Sequence, residues 1–333
     1  MDLRLALYQW AGLHGLNAAQ QARLEDLAGL GAQPPALARR MRQGLAVLAA
    51  GLGGFGLILW LAANWESFGR YGRFGLLQGL LVVMGLGACS LRGRQASAAP
   101  ALGLMVLLLQ GGLFAYFGQT YQTGADPWQL FALWAALALP LALGLRSDVL
   151  WTPWALVAMT AFSLWAANRL GHSWHFAEGA AQIYLLSWGF SFLLLLALAA
   201  PLRAWTGAGD WSWRLALTLA AFNLGFTGLL SLFSQRLSPI YLLALGLLGA
   251  GAWLLSRPRG FEVYGLSLVT LTLNVLLICG LGRLLLEGGR HGDPIGEFFI
   301  LTLAAAGLLA LSVKWLLGLS RRHEAELAQG AAK

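Results

Sequence analysis

Charge is scarce in this chain. Asp, Glu, Lys and Arg make up 11% of its 333 residues, against 58% hydrophobic, whereas a soluble domain usually carries about 25% charged residues. The shortage excludes an ordinary water-soluble domain. Catalytic signatures are lacking too: there is no Gly-rich phosphate loop ending in Gly-Lys-Ser/Thr, no His-Glu-x-x-His and no Gly-x-Ser-x-Gly. No cleavable signal peptide or lipidation motif is read, and no alternating strands of about ten residues, as a transmembrane barrel requires. Only two cysteines are present, Cys89 and Cys279. They are expected at opposite membrane faces, unable to pair, as small apolar packing residues. No ionisable side chain falls at mid-membrane, which counts against a proton pump built on a central carboxylate and against a voltage sensor.

Long apolar runs fill the space. A hydrocarbon core about 30 Å thick needs about 20 helical residues to cross. Ten segments meet this: Gly44–Ala63, Phe74–Leu91, Pro100–Phe117, Pro127–Leu145, Pro153–Asn168, Ala180–Ala200, Trp213–Phe233, Pro239–Ser256, Phe261–Leu281 and Ile295–Leu317. Backbone polar groups must be satisfied within each segment in lipid, so the expected fold is all-α, a polytopic bundle of about ten transmembrane helices. Three regions follow: a cytoplasmic amphipathic hairpin over 1–43, the bundle over 44–317 and a cytoplasmic tail over 318–333.

The net charge of +8 follows the positive-inside rule rather than marking a nucleic-acid binder. Of 22 basic residues, Arg70, Arg73, Arg169, Arg236, Arg283 and Arg290 fall on one side and the other sixteen on the opposite side. Both termini are therefore expected in the cytoplasm.

Local signals mark helix ends. Asn17 with Gln20 reads as a capping box opening a helix from Ala18 to about Leu30. Leu3, Leu7, Trp10 and His14 lie near one face of a helix before it. Asp126-Pro127, Thr152-Pro153, Ser238-Pro239 and Asp293-Pro294 each place an N-cap before a proline, Pro201 and Pro258 follow span ends, and Pro140 is expected to kink the fourth span. Trp60, Trp65, Trp128, Trp151, Trp154, Trp205, Trp211 and Trp213 form an interfacial belt. Gly51, Gly53, Gly54 and Gly56 sit inside a span, where small residues serve close packing. Leu59-Trp60-Leu61-Ala62-Ala63-Asn64 is echoed by Leu164-Trp165-Ala166-Ala167-Asn168, which is read as coincidence in a chain so rich in Leu and Ala.

Two runs carry a family resemblance. One is Ala62-Ala63-Asn64-Trp65-Glu66. The other runs from Gly118-Gln119-Thr120-Tyr121-Gln122-Thr123-Gly124-Ala125-Asp126 through Pro127-Trp128-Gln129-Leu130-Phe131, followed by Trp134 and Pro140. From about Trp10 to Leu150 the chain resembles the bacterial predicted membrane proteins grouped as domain of unknown function 2157. The resemblance implies an inner-membrane protein with an amphipathic amino-terminal segment. It brings no reaction, cofactor or catalytic residue.

The candidate ligand site is a polar cluster at the outward ends of spans one, three and four: Asn64, Glu66, Tyr116, Gln119, Tyr121, Gln122 and Asp126, with Gln110 deeper in the same helix as Tyr116. Amides, phenols and carboxylates there suit a small polar solute or a lipid head group. Their bland roles are also plain: Asp126 and Asn64 can cap helices. His172 and His175 with Glu178, joined by His291 or Asp293, are the one conceivable metal set, but Glu178 would point about 120° from His172 on a helix, and solvated interface histidines are preferred. Gln78, Asn223 and Asn274 read as interhelical hydrogen-bond glue.

The leading expectation is binding or translocation of a small polar solute or lipid through that outward pocket, without cofactor or metal. In outline the topology is similar to the drug/metabolite transporter superfamily, which speaks to fold and not function. The alternative is a membrane scaffold or accessory subunit whose amino-terminal helices recruit a cytoplasmic protein. A membrane-embedded enzyme using Glu66, Asp126 or His175 comes third.

Overall fold

The computed structural model describes residues 3–29, 35–64, 69–94, 98–121, 124, 126–171, 179–234, 238–257, 260–288 and 294–331. Among these residues every regular element is helical. In chain order they are α1 (Leu3–Leu13), α2 (Ala18–Leu27), α3 (Pro35–Ala63), α4 (Arg70–Leu91), α5 (Ala98–Tyr121), α6 (Pro127–Leu145), α7 (Asp148–Arg169), α8 (Ala181–Leu198), a 3-10 turn (Ala200–Leu202), α9 (Arg203–Thr206), α10 (Asp210–Leu232), α11 (Pro239–Leu255), α12 (Val263–Gly288) and α13 (Pro294–Ala331).

Nine of them are long and apolar enough to cross a membrane. The expected span at Pro239–Ser256 is the exception, a helix of 17 residues, about 25 Å at 1.5 Å per residue and at the short limit for crossing. Ser238 sets its start, accepting the Ile240 N–H at 3.3 Å with Pro239 at the first helical position. The fifth span starts earlier than expected. Ser147 caps α7 by accepting the Val149 N–H at 3.4 Å, and the Thr152 hydroxyl donates to the Asp148 carbonyl at 2.8 Å. Thr152-Pro153 therefore lies inside α7, because a cap-forming residue one turn earlier already opens the helix. Pro140 lies within a continuous α6. At the amino terminus the capping box forms in full, with Gln20 N–H to Asn17 Oδ1 at 2.9 Å and Asn17 N–H to Gln20 Oε1 at 3.0 Å. Trp10 and His14 pack edge-on at 5.2 Å.

The helices form a polytopic membrane bundle. α10 is its hub, packed on α7, α8, α11 and α12; α5 carries α3 and α4 on one flank and meets α6 and α7 on the other; α13 packs on α12. Half of α10's central residues are buried, and none of α13's. Leu232, Ala244, Leu266 and Leu276 form the α10–α11–α12 core, and Ala142, Leu150, Trp151, Leu198 and Ala216 a second one among α6, α7, α8 and α10. Large apolar side chains cover the outside, among them Leu52, Phe222, Phe299 and Leu303. Water would penalise that surface, whereas lipid solvates it. Because lipid is as apolar as the helices, association rests on close packing. Gly54 shows this: a Cβ there would sit 2.9 Å from Leu108 Cδ1 on α5. Gly51 and Gly56 face open space.

Polar residues bridge the bundle. Asn223 on α10 donates to Ser187 Oγ at 2.8 Å and Ser191 Oγ at 3.0 Å on α8. Asn274 on α12 donates to Ser312 Oγ on α13 at 2.9 Å. Both act as the expected glue. Gln78 does not: it is exposed on α4, with no side-chain hydrogen bond among the described residues. Cys89 and Cys279 are free, Cys89 on the exposed face of α4 rather than in packing. One end of the bundle gathers Arg92, Arg94, Arg146, Arg203, Arg214 and Arg257 in alternate connections; it is called the arginine-rich end below.

Candidate functional site

Asp126 is the expected site residue with the most developed surroundings. It occupies the N-cap position of α6, yet its side chain makes no capping bond. Its Oδ2 instead accepts Asn168 Nδ2 at 2.8 Å, from the end of α7, and Trp128 Nε1 at 3.3 Å. Oδ1 takes no hydrogen bond among the described residues. The carboxylate thus clasps α6 to α7 at the end opposite the arginine-rich one. One residue after Asn168, the Arg169 guanidinium lies over the Trp165 ring at 5.9 Å.

The other expected residues are dispersed. Asn64 turns back on its own helix, donating to the Trp60 carbonyl at 2.9 Å. Tyr116 is buried against Phe74, ring centroids 4.6 Å apart. Tyr121 packs on Phe117 at 4.8 Å and faces Phe74 at 6.0 Å. Gln119 is exposed and Gln110 is buried within α5. Glu66 and Gln122 lie outside the described residues, as do His172, His175, Glu178, His291 and Asp293. Among the described residues no three His, Cys, Asp or Glu side chains gather as metal ligands.

A groove of about 380 Å³ lies between α6, α7 and α8, and one of its lining residues, Trp128, is the donor to Asp126 Oδ2. Its walls are aromatic and small: Trp128, Trp154, Phe162, Trp165 and Phe190, with Ala132, Ala135 and Ala161 between them. The ring positions are fixed. Trp154 Nε1 donates to the Ala135 carbonyl at 2.8 Å, and Phe162 stacks on Phe190 with centroids 4.4 Å apart and planes 6° apart. Small residues at 132, 135 and 136 leave a trough that larger side chains would fill. An apolar chain fits such walls. Sequence reasoning missed Asn168 and the groove lining. The Leu-Trp-Ala-Ala-Asn echo was the available signal, since it sets Trp165 and Asn168 beside each other on one helical face.

Residues 8–151 match the family model described as "Predicted membrane protein (DUF2157)". The matched stretch reaches from α1 to the first turn of α7, taking in Asp126 and Trp128 and stopping short of Asn168. It agrees with the resemblance read from the Gly118–Phe131 run, and the description assigns a membrane location and no activity. No curated protein and no solved structure matches the chain.

Proposed function

We propose that this protein resides in a bacterial cytoplasmic membrane with its arginine-rich end in the cytoplasm, and that it binds an amine-bearing amphiphile of the outer leaflet in the α6–α7–α8 groove. What supports the reading is the aromatic groove together with Asp126, which is bonded to the groove residue Trp128 and whose Oδ1 is unused among the described residues. The positive-inside rule supplies the orientation. Indole and phenyl walls favour an acyl chain over a small polar solute. The amine meets the carboxylate.

The test uses the purified protein in phosphatidylcholine nanodiscs, titrated with phosphatidylethanolamine or phosphatidylglycerol and followed by thermal melting. Selective binding stabilises by RT ln(1 + [L]/Kd), about 2.7 kcal/mol at a hundredfold excess over Kd. Phosphatidylethanolamine is expected to raise the melting temperature of the wild type and to lose most of that effect in Asp126→Asn. Equal shifts from both lipids, or an unchanged response in Asp126→Asn, would end the proposal.

A second reading has its own observation. The capped α1–α2 hairpin exposes Tyr8, Trp10, Leu13 and Leu27, which suits contact with a cytoplasmic protein. Removing residues 1–34 is expected to leave the bundle folded and abolish a co-purifying partner. If the intact chain brings no partner with it, this reading fails.

A further inference from the structure

A second cavity, remote from the α6–α7–α8 groove, lies between α11, α12 and α13. Its volume is about 360 Å³, within the range of small-molecule sites. Trp253 and Trp315 face it from the two outer helices, and Thr270, Asn274 and Ser312 supply its polar surface.

Thr270 is the anomaly. A helical threonine normally satisfies its hydroxyl on the carbonyl four residues back. Thr152, Thr160, Thr206, Thr218, Thr227, Thr272 and Thr302 all do so here, at 2.7 to 3.1 Å. Thr270 does not: its side chain is 7% exposed, and its Oγ1 is buried with no hydrogen-bond partner. A buried unmatched hydroxyl costs about 1–3 kcal/mol, and Thr270 is a lining residue of this cavity, so an occupant to which the hydroxyl turns would recover that cost. One helical turn further, Asn274 spends one amide hydrogen on Ser312 Oγ at 2.9 Å, and Ser312 returns a bond to Asn274 Oδ1 at 3.3 Å. The second amide hydrogen makes no bond among the described residues. The cavity therefore offers two donors about 6 Å apart along one helix face.

Depth narrows the chemistry. Asn274 lies eleven residues into α12, about 17 Å along the helix at 1.5 Å per residue and near the middle of a hydrocarbon core about 30 Å thick. The ester carbonyls of a phospholipid stay in the interfacial layer. A ligand that brings acceptors to this depth must itself be neutral and dissolve in hydrocarbon. We infer that the α11–α12–α13 cavity binds a quinone-type ring, its carbonyl oxygens accepting from Thr270 and Asn274 and its faces against Trp253 and Trp315.

The probe is a decyl-substituted benzoquinone, titrated into the full-length protein in phosphatidylcholine nanodiscs and read by quenching of tryptophan fluorescence. The wild type is expected to show saturable quenching. Thr270→Val, close in shape, should weaken binding about tenfold without lowering the melting temperature, because the lost hydroxyl has no partner in the protein. Thr270→Ser keeps the hydroxyl and should bind within about twofold of wild type. Thr272→Val, whose hydroxyl serves the backbone, should bind unchanged. Non-saturable quenching, equal affinity in Thr270→Val, or lost binding in Thr270→Ser overturns the assignment. Competitive displacement of the quinone by phosphatidylglycerol also overturns it, and names a lipid as occupant. None of these variants touches the Asp126 groove, so either site can fail alone.

Discussion

The carboxylate of Asp148, at the head of α7, accepts the backbone N–H of Gly209, 61 residues downstream, at 2.8 Å. The same group accepts the N–H of Ser212 through Oδ1 and of Trp211 through Oδ2, both at 3.0 Å. α10 begins at Asp210 with a glycine at its N-cap and no side-chain cap of its own. The first N–H groups of any helix need acceptors, and a negative charge at that end also suits the helix dipole. Asp148 meets both needs from another helix. Trp151 Nε1 reinforces the joint by donating to the Thr206 carbonyl at 2.7 Å, and the Arg146 guanidinium donates to the Ala204 carbonyl. The α6–α7 turn is thereby tied to the connection leading into the hub helix.

Removing that carboxylate should loosen the hub. Asp148→Ala strips three acceptor contacts and is expected to destabilise by about 3 kcal/mol, since bonds to a charged group are worth about 1.5–3 kcal/mol each and are shared here. Asp148→Asn keeps one oxygen acceptor and should cost about half as much. Thermal melting of the detergent-purified protein reads both. An Asp148→Ala protein that melts with the wild type would show that water caps α10 equally well.

Gly209 should tolerate no side chain while Asp148 is present. A Cβ there would lie 2.5 Å from Asp148 Oδ2 and 2.6 Å from its Cγ. The backbone, at φ −115° and ψ −162°, is open to any residue, so the penalty is steric. Gly209→Ala is expected to cost about 1–3 kcal/mol, the usual cost of overpacking. In an Asp148→Ala background the same change should cost little more. A double-mutant cycle in melting temperature isolates this coupling; additive effects would show that the two positions do not meet.

Much of the fold was legible because lipid leaves few options. Apolar runs of about 20 residues had to be helices, and the Asn17–Gln20 and Ser238–Pro239 signals act within one turn, where sequence spacing is spatial spacing. Thr152-Pro153 misled because the same local code was already satisfied at Ser147. The sites were less legible for a different reason. In a soluble helix the apolar stripe tells which face is buried; in a span such as α8 both faces are apolar, so nothing along the chain marks Phe190 as groove wall and Phe192 as lipid contact. Pairings such as Asp126–Asn168 and Asp148–Gly209 join residues 42 and 61 positions apart, with no local trace. Asn223 and Asn274 were recognisable because a lone amide in an apolar run has few tolerable places to go.

That amide glue should prove weak. Asn223 bridges to Ser187 and Ser191 between apolar helices, which invites a large estimate. Interhelical hydrogen bonds in membranes nevertheless average about 0.6 kcal/mol, because the separated helices find other partners. Asn223→Leu is therefore expected to cost about 1 kcal/mol for its two bonds. A loss above about 3 kcal/mol, a scale typical of core truncation, would mean that Asn223 holds the α8–α10 packing rather than decorating it.

The orientation of the carboxyl-terminal half depends on α11, the shortest apolar helix. If it crosses, Ser234 and Gly260 lie on opposite sides, and the arginines fall consistently: Arg203, Arg214 and Arg257 at one end, with Arg283, which donates to the Leu232 carbonyl, at the other. If α11 only dips into the membrane, α12 and α13 invert, and Arg257 moves to the outer face together with Arg321 and Arg322 at the end of α13, against the bias that the positive-inside rule requires. Replacing Cys89 and Cys279 by Ala and introducing Ser234→Cys or Gly260→Cys allows labelling of intact cells with a membrane-impermeant maleimide. Ser234→Cys is expected to label in intact cells, and Gly260→Cys only after the membrane is opened. A carboxyl-terminal green fluorescent protein should then be fluorescent and an alkaline phosphatase fusion inactive. Labelling of both cysteines from one side would establish a re-entrant α11 and move the α13 terminus across the membrane.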